Sequence, residues 1–283
     1  MGSITVTACS RRNGTPDKPN EDAYAVRLDA QRTILVVADG VTRSRSATGV
    51  YPQPSGAALA AQLVTRTLAT ALATAEGADL RRAFGRANRV VDRANRRAGV
   101  WDRLDYAEHD LWCAVATAVA VNDGIARWAH IGDSVLLHLP ATGGLYVRTP
   151  DQVADAMQHL DSLAPAELAA LGGRERYARQ CLRNRPGTSH SYGALTGEAN
   201  AEQYVLTGDF PIASGDLIVL CSDGLAGLRS VPGPEGWRAL EPWLRSPPSN
   251  TATAQLFDAV EATDDRLGIR SDDKTVIAAL IGD

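Results

Sequence analysis

Apolar residues along this chain fall into short runs that are typical of buried β-strands. These runs lie near Ile4–Ala8, Tyr24–Leu28, Thr33–Ala38, Leu111–Val121, Ile125–Ile131, Val135–Leu139, Leu145–Val147, Asp216–Ser222 and Thr275–Ile281. Each run is bounded by turn residues, as expected for strands. Asn122-Asp123-Gly124 separates two of the runs and predicts a tight hairpin, so the neighbouring strands should be antiparallel.

Two helices are expected after the third strand. Ser55 can cap an alanine-rich helix that extends to about Glu76, and Asp79 can cap a second helix that Gly99 ends. The second helix has apolar residues at helical spacing on one side and arginines on the others. Its arginines are Arg81, Arg82, Arg86, Arg89, Arg93, Arg96 and Arg97. Such a face raises the hypothesis of a nucleic-acid or acidic partner, but the default interpretation is a solvated surface, and aromatic residues for base stacking are not interleaved with the arginines.

The remaining pattern indicates an α+β fold. A polar segment at about 148–200 interrupts the strands; its Pro165–Gln180 part looks helical and its Arg183–Gly197 part irregular. Later helices are expected near Gly236–Leu244 and Thr251–Asp265. Runs of strands with paired helices between them favour antiparallel sheet over a Rossmann alternation. The 283 residues, 45% of them hydrophobic, are expected to form one domain over 1–283.

Five junctions at the ends of the apolar runs carry acidic residues. They are Asn20–Glu21–Asp22, Asp39–Gly40, Gly132–Asp133, Asp223–Gly224 and Asp272–Asp273–Lys274–Thr275. Any one of them can be only a turn, because Asp-Gly is a common turn dipeptide. A turn does not explain why acidic residues, rather than Asn or Ser, recur after strands that converge in one domain. Carboxylates with no His or Cys cluster nearby predict a hard cation such as Mg²⁺ or Mn²⁺.

The order of these motifs resembles the metal-dependent protein phosphatase family, the type 2C serine/threonine phosphatases, in a divergent bacterial-type form. The matching segments are Asn20–Glu21–Asp22, Asp39–Gly40, Gly132–Asp133–Ser134, Ser222–Asp223–Gly224–Leu225 and Asp272–Asp273–Lys274–Thr275. No single motif is specific, but the ordered set is. The resemblance implies a four-layer α/β/β/α sandwich with two central, mainly antiparallel sheets. It also implies a variable flap at about 148–200, beside the metals.

The resemblance further implies the main metal ligands. Asp39 would bridge two metal ions, and Gly40 would offer its backbone carbonyl. Asp223 and Asp272 would hold the second ion. Asp39, Asp223 and Asp272 are therefore the predicted catalytic residues.

Three more acidic residues would complete the site by the same resemblance. Glu21 and Asp22 would act mostly through metal-bound waters, and Asp133 would belong to a third, weaker metal position. Two ions about 3.5–4 Å apart can share a water, lower its pKa and present hydroxide in line with phosphorus. Phosphomonoester hydrolysis then needs no protein nucleophile, because cations that hold the phosphoryl oxygens provide much of the acceleration.

Departures from the family pattern concern the substrate. Many relatives carry a phosphate-binding arginine four residues before the glutamate of the first acidic motif, where this chain has Asp17. The basic residues that could replace it are Lys18, Arg11, Arg12, Arg43 and Arg45, among which Lys18, Arg43 and Arg12 are our candidates. Val41 stands where relatives usually have His or Met, so a side-chain acid would have to come from elsewhere. The histidines considered for this role are His109, His130 and His190.

The expected activity is a Mn²⁺- or Mg²⁺-dependent phosphomonoesterase that dephosphorylates phosphoserine and phosphothreonine in proteins. One alternative is a small-molecule phosphatase of the same fold, suggested by the missing arginine and the altered loop at 41–55. The other is a catalytically silent binding module, whose usual mark would be lost metal-binding aspartates. Those positions are all filled here.

Composition narrows the partners and the location. A net charge of −4 and a pI near 5.8 argue against nucleic acid as the main partner. The four cysteines show no Cys-x-x-Cys spacing, which indicates a reduced, cytoplasmic protein. No leader-like start and no apolar run near about 18 residues are present, so secretion and a membrane anchor are not expected. High alanine and arginine usage indicates a bacterial source.

Overall fold

The described strands form two antiparallel five-stranded sheets. The structure is a computed structural model, which describes residues 3–13, 18–29, 32–41, 55–74, 79–228, 237, 250–268 and 272–283. The strands are β1 (Ile4–Arg11), β2 (Asp22–Leu28), β3 (Thr33–Gly40), β4 (Ala114–Asn122), β5 (Ile125–Ile131), β6 (Val135–Leu139), β7 (Tyr146–Val147), β8 (Leu206–Pro211), β9 (Leu217–Cys221) and β10 (Lys274–Ile281). The first sheet has the order β1-β10-β9-β6-β7, and the second has the order β2-β3-β4-β5-β8.

Three of the described helices pack on the outer faces of the two sheets, and the three short helices of the 148–200 segment contribute residues to a separate apolar cluster. They are α1 (Gly56–Leu72), α2 (Leu80–Arg97), α3 (Ala154–Ser162), α4 (Pro165–Ala170), α5 (Arg174–Tyr177) and α6 (Asn250–Leu267). Buried residues of α1 and α2 pack against the second sheet, and those of α6 pack against the first. A third apolar cluster lies between the sheets and includes Leu35, Val119, Leu136 and Ile277. The layers are therefore helix, sheet, sheet and helix, which confirms the predicted α+β fold class.

The predicted caps of α1 and α2 are confirmed. The Ser55 hydroxyl accepts the N–H of Ala58, and the Asp79 carboxylate accepts the N–H of Arg82. Gly99 follows α2 with a positive φ of 64°, which is the usual helix-ending conformation. The hairpin is also as predicted, since Asp123 and Gly124 both have positive φ between the antiparallel β4 and β5.

Three parts of the helix and strand prediction need comment. The helical character predicted for Pro165–Gln180 is present but divided: α4 ends before Gly172 and Gly173, which both have positive φ, and α5 leads into a π-helical turn, Ala178–Leu182. Strand β8 was not predicted. The helix expected at Gly236–Leu244 falls outside the described residues, apart from Trp237.

Candidate metal centre

Three of the predicted aspartates meet where the two sheets adjoin. Asp39 ends β3 in the second sheet, Asp223 follows β9 in the first, and Asp133 lies in the connection from β5 to β6. One carboxylate oxygen from each lies within 4.8 Å of the others. All three side chains are partly exposed, so the group opens to solvent. Sequence positions nearly 200 residues apart thus form one oxygen-only cluster.

Asp22 joins this cluster through the β2–β3 ladder. It lies directly opposite Asp39, and its carboxylate accepts a 2.6 Å hydrogen bond from the Ser222 hydroxyl. Burial raises the pKa of Asp22 to about 7; hydrogen bonds from Ser222 and Thr275 oppose this rise, and the charge of Asp223 adds to it. Four carboxyl groups therefore share one small volume.

The electrostatics of the cluster suit a divalent cation. Burial raises the pKa of Asp39 well above its usual range, and the nearby charges of Asp223, Asp22 and Asp133 raise it further. Carboxylates packed this closely repel one another unless protons or cations compensate them. An all-oxygen donor set is the one that Mg²⁺ and Mn²⁺ prefer. The residues present therefore fit such ions.

The position of Asp133 depends on the glycine before it. Gly132 has a φ of +98°, and a Cβ there would lie 2.3 Å from the Val115 side chain. Its N–H donates to Gln152 Oε1 at 2.6 Å, and its carbonyl accepts from both the Gln152 N–H and His130 Nε2. His130 is fully buried, so it orients this turn instead of facing the site.

Asp272 stands outside the 4.8 Å group and is bound to a buried lysine. Its Oδ1 accepts from Lys18 Nζ at 2.6 Å, from the Asp273 N–H at 2.8 Å and from Asn13 Nδ2 at 3.4 Å. The Asp272 side chain is 53% exposed, whereas that of Lys18 is 6% exposed. Burial lowers the pKa of Lys18, but the charges of Asp272, Asp273 and Glu21 outweigh this and raise it.

Asp273 ties the two ends of the chain together at this point. Its buried carboxylate accepts the N–H groups of Asn13 and Glu21 at 2.8 and 2.9 Å and lies 3.2 Å from the Lys18 ammonium. Gly224 packs directly against it, since a Cβ there would lie 1.7 Å from the Asp273 carbonyl oxygen. The segment after β9 is therefore held against the segment before β10.

Glu21 and Gly40 lie just behind the cluster. The Glu21 carboxylate is buried and accepts a short hydrogen bond from the Ser55 hydroxyl, while its backbone carbonyl accepts the Gly40 N–H at 3.1 Å. Gly40 also packs against the backbone of Ala57. The first turn of α1 is thus fixed to the end of β3.

The candidate phosphate-binding residues have different surroundings. Lys18 is buried among three carboxylates, Arg12 is exposed, and Arg43 lies outside the described residues. Val41 is exposed beside the site. Sequence reasoning missed the supporting roles of Asn13, Ser222 and Thr275. The last two lie inside the motifs Ser-Asp-Gly-Leu and Asp-x-x-Thr, so the motifs held a signal for them.

Comparison of the chain with known protein families and solved structures agrees with this geometry. A family model described as protein phosphatase 2C matches residues 11–261, and the chain belongs to that family. No curated protein sequence matches the chain. None of the described helices combines the length and the apolar character needed to cross a membrane.

Solved structures share the fold over nearly the whole chain. The serine/threonine phosphatase PstP/Ppp of Mycobacterium tuberculosis is 21% identical, with a TM-score of 0.65 and 99% of both chains covered. A structure of the PstP catalytic domain with two manganese ions gives 21% identity, a TM-score of 0.63 and the same coverage. RsbX in complex with magnesium is 13% identical, with a TM-score of 0.57, and 99% of this chain and 96% of RsbX are covered.

Family membership defines the activity class. The chain is a metal-dependent phosphomonoester hydrolase of the serine/threonine protein phosphatase type. The expected recognition, activity and cofactor class are confirmed, and the small-molecule and binding-module alternatives are not favoured.

Proposed function

We propose that Asp39, Asp223 and Asp272 hold the catalytic cations and that the substrate is a phosphoserine or phosphothreonine side chain of a protein. The observation that carries this assignment is the convergence of Asp39, Asp133 and Asp223 oxygens within 4.8 Å. When bound there, divalent cations lower the pKa of water and neutralise charge on phosphoryl oxygens. Asp133 would serve a third, weaker position.

The remaining residues orient the ligands. The Gly40 carbonyl lies at the end of β3, next to Asp39, and the hydrogen bond from Gly40 to Glu21 fixes the backbone there. The hydrogen bonds to Asp272 described above are all accepted by Oδ1, so we assign Oδ2 as the atom that binds the cation. Asp22 and Glu21 are proposed to accept hydrogen bonds from water in the site, since both lie beside the ligands and carry anionic oxygens.

Phosphate recognition needs a basic residue in place of the arginine that this chain lacks four residues before Glu21. We retain two candidates: Arg12, which is exposed directly after β1, and Arg43, which lies outside the described residues. For Lys18 the three carboxylates within 3.7 Å support a different role, as the resident counter-charge of Asp272 and Asp273. The segment at about 148–200 is proposed to be the variable flap of a single 1–283 domain.

The cellular location and the source of the protein are inferred from its cysteines and its composition. All four cysteines, each of them described, are free thiols. We infer a reducing, cytoplasmic location and a bacterial-type protein, in keeping with the composition and with the mycobacterial PstP/Ppp structure.

Neutralising single ligands tests the proposal. Asp39→Asn and Asp223→Asn should each lower kcat for a phosphothreonine peptide by about a thousandfold or more, as expected when metal and electrostatic stabilisation are lost. Calorimetric titration should show weaker Mn²⁺ binding, while the metal-free variants unfold at the same or a higher temperature because carboxylate repulsion is relieved. Asp209→Asn, at an exposed position on β8, is the matched control. Unchanged kcat and Mn²⁺ affinity in Asp39→Asn would contradict the assignment.

A further inference from the structure

The outer face of α2 carries a straight row of arginines that the metal centre does not use. Arg82, Arg86, Arg89, Arg93, Arg96 and Arg97 fall within an arc of about 100° on the helix and extend over about 22 Å. All of them are exposed except Arg86, which is half-buried. We call these six residues the arginine row.

The charge of the arginine row is unusual for a solvated helix face. Such faces usually mix signs, because like charges three or four residues apart destabilise a helix. Here α2 contains seven arginines and one acidic residue, Asp92, which pairs with Arg96. The helix therefore carries +6, whereas the chain carries −4 and the rest of it −10.

Much of this positive charge is not compensated by the residues that the structure describes. Arg89 pairs with Glu202 at 3.3 Å, and both side chains are largely exposed, so this pair is weak. Within the part of the chain that the structure describes, Arg82, Arg93 and Arg97 form no ion pair. Their guanidinium groups, with five donors each, are left facing solvent.

The C-terminal end of α2, which carries Arg96 and Arg97, is linked through its buried side to the end of β3. Asn95, in the last turn of α2, binds both the carbonyl and the N–H of Trp112 at 2.9 Å. The next residue, Cys113, accepts the N–H of Val41 at 3.1 Å, and Val41 directly follows Gly40. The C-terminal end of the helix is therefore held on the side of the second sheet where β3 reaches Asp39, and the row runs along the outer face from this end.

We propose that the arginine row docks an acidic segment of the phosphoprotein substrate while the phosphorylated residue occupies the metal centre. The proposal rests on the proposed function and adds the substrate class. A row of about 22 Å matches six or seven residues of extended peptide. Arginine forms paired hydrogen bonds with carboxylates, so a run of Asp or Glu is the complementary chemistry.

A short acidic peptide fits this surface better than a large polyanion does. A nucleic acid duplex or an anionic membrane would also approach the rest of the molecule, which carries −10. Among the described residues, Trp101 packs against the row; Arg96 lies over one face of its ring and its Nε1 donates to Asp92, so it is engaged within the protein instead of forming a platform for base stacking.

Paired phosphothreonine peptides test the proposal. One has a tail of seven glutamates or aspartates, the other the same tail with glutamine or asparagine. The wild-type enzyme should show a KM for the acidic-tailed peptide lower by about tenfold, as electrostatic steering allows, and the preference should fall as salt rises. Arg82→Glu/Arg93→Glu should remove the preference. Both substitutions should preserve α2. A glutamate at position 82 places a negative charge near the helix N-terminus and can pair with Arg86, and a glutamate at position 93 can pair with Arg89 and Arg97.

Matched controls separate this proposal from the assigned metal centre. Arg27→Glu/Arg266→Glu makes the same charge change at exposed positions on β2 and α6 and should keep the preference. If neither peptide is cleaved, anisotropy with the unphosphorylated acidic tail tests docking alone. The proposal would be overturned if the wild-type enzyme gave equal KM values for both tails. It would also be overturned if the row variant and the control variant lost the preference for the acidic tail to the same extent. Row-dependent binding only to duplex DNA, to phosphatidylserine vesicles or to a second copy of the chain would overturn it too.

Discussion

At the scale of single residues, Lys18 shows how the acidic residues around the candidate metal centre are held in place. Its ammonium lies 2.6 Å from Asp272, 3.2 Å from Asp273 and 3.7 Å from Glu21. A buried lysine is costly unless it is paired, and a buried carboxylate such as that of Asp273 has the same need. Lys18 is therefore a positioning residue in our account.

Substituting Lys18 separates its compensation of the Asp273 charge from its positioning of Asp272. Lys18→Met should destabilise the protein by about 3 kcal/mol, because Asp273 is left as an uncompensated buried charge. In Lys18→Met/Asp273→Asn, denaturant unfolding should show that much of this loss is recovered, whereas calorimetry should show that Mn²⁺ affinity stays low, because Asp272 is still released.

Two outcomes would contradict the positioning role of Lys18. If the double variant binds Mn²⁺ as tightly as the wild type, Lys18 only neutralises Asp273. If Lys18→Met raises KM for phosphopeptides while Mn²⁺ binding is unchanged, Lys18 binds phosphate, as the sequence analysis allowed.

At the scale of elements, the centre depends on backbone turns as much as on carboxylates. The turn at Gly132 between β5 and β6 combines a φ of +98° with a Cβ position 2.3 Å from Val115. A side chain there must both adopt a strained conformation and push β4 away. Asp133 would move with the turn.

Gly132→Ala is predicted to cost about 3 kcal/mol of stability, from backbone strain and overpacking together. The control is Gly143→Ala, where φ is +100° and nothing lies within 4 Å of the added Cβ. It should cost about 1–2 kcal/mol, from strain alone. Chemical denaturation measures both. Equal losses would show that contact with Val115 does not fix the turn.

The elements show what a single sequence can and cannot predict. Ser55 and Asp79 act locally, so both helix starts could be predicted from the sequence. Strand β8 was missed because only part of it is apolar, and its hydrogen bonds come from β5, far away in the sequence. The segment 165–180 is helical as predicted, but the break in it was not predicted: it lies at two glycines, Gly172 and Gly173, whose positive φ interrupts the surrounding helix.

At the scale of the whole molecule, the ordered motifs predicted the fold and the convergence of Asp39, Asp133 and Asp223. They could not predict the pairing of Lys18 with Asp272, because it joins segments 254 residues apart through side chains. A polar cluster far from the metal centre was missed for the same reason. There the His138 ring stacks on Phe210 at 4.6 Å, which joins the two sheets.

This cluster should make stability depend on pH. His138 Nε2 donates to Asp216 at 2.9 Å, and Arg148 donates to His138 Nδ1 at 2.8 Å, so the imidazole is neutral. Burial lowers the pKa of His138, although Asp216 opposes this. Between the ordinary value of about 6.5 and the lower folded value, the unfolded chain binds more protons. Stability from this group is therefore present above pH 6.5 and lost as pH falls.

His138→Gln isolates this contribution. We expect the free energy of unfolding of the wild type to fall more steeply than that of the variant below about pH 6.5, as measured by denaturant unfolding across pH. The carboxylates of the metal centre titrate in both proteins, so they cancel in the comparison. Parallel curves would exclude His138 as the titrating group.

The central claim is that distant aspartates hold a pair of divalent cations between the two sheets. Anomalous diffraction from crystals grown with Mn²⁺ tests it most directly. We predict two peaks about 3.5–4 Å apart, with Asp39 contacting both and Asp223 and Asp272 contacting the second. Peaks elsewhere, or no peaks with Asp39 and Asp223 in place, would contradict the account.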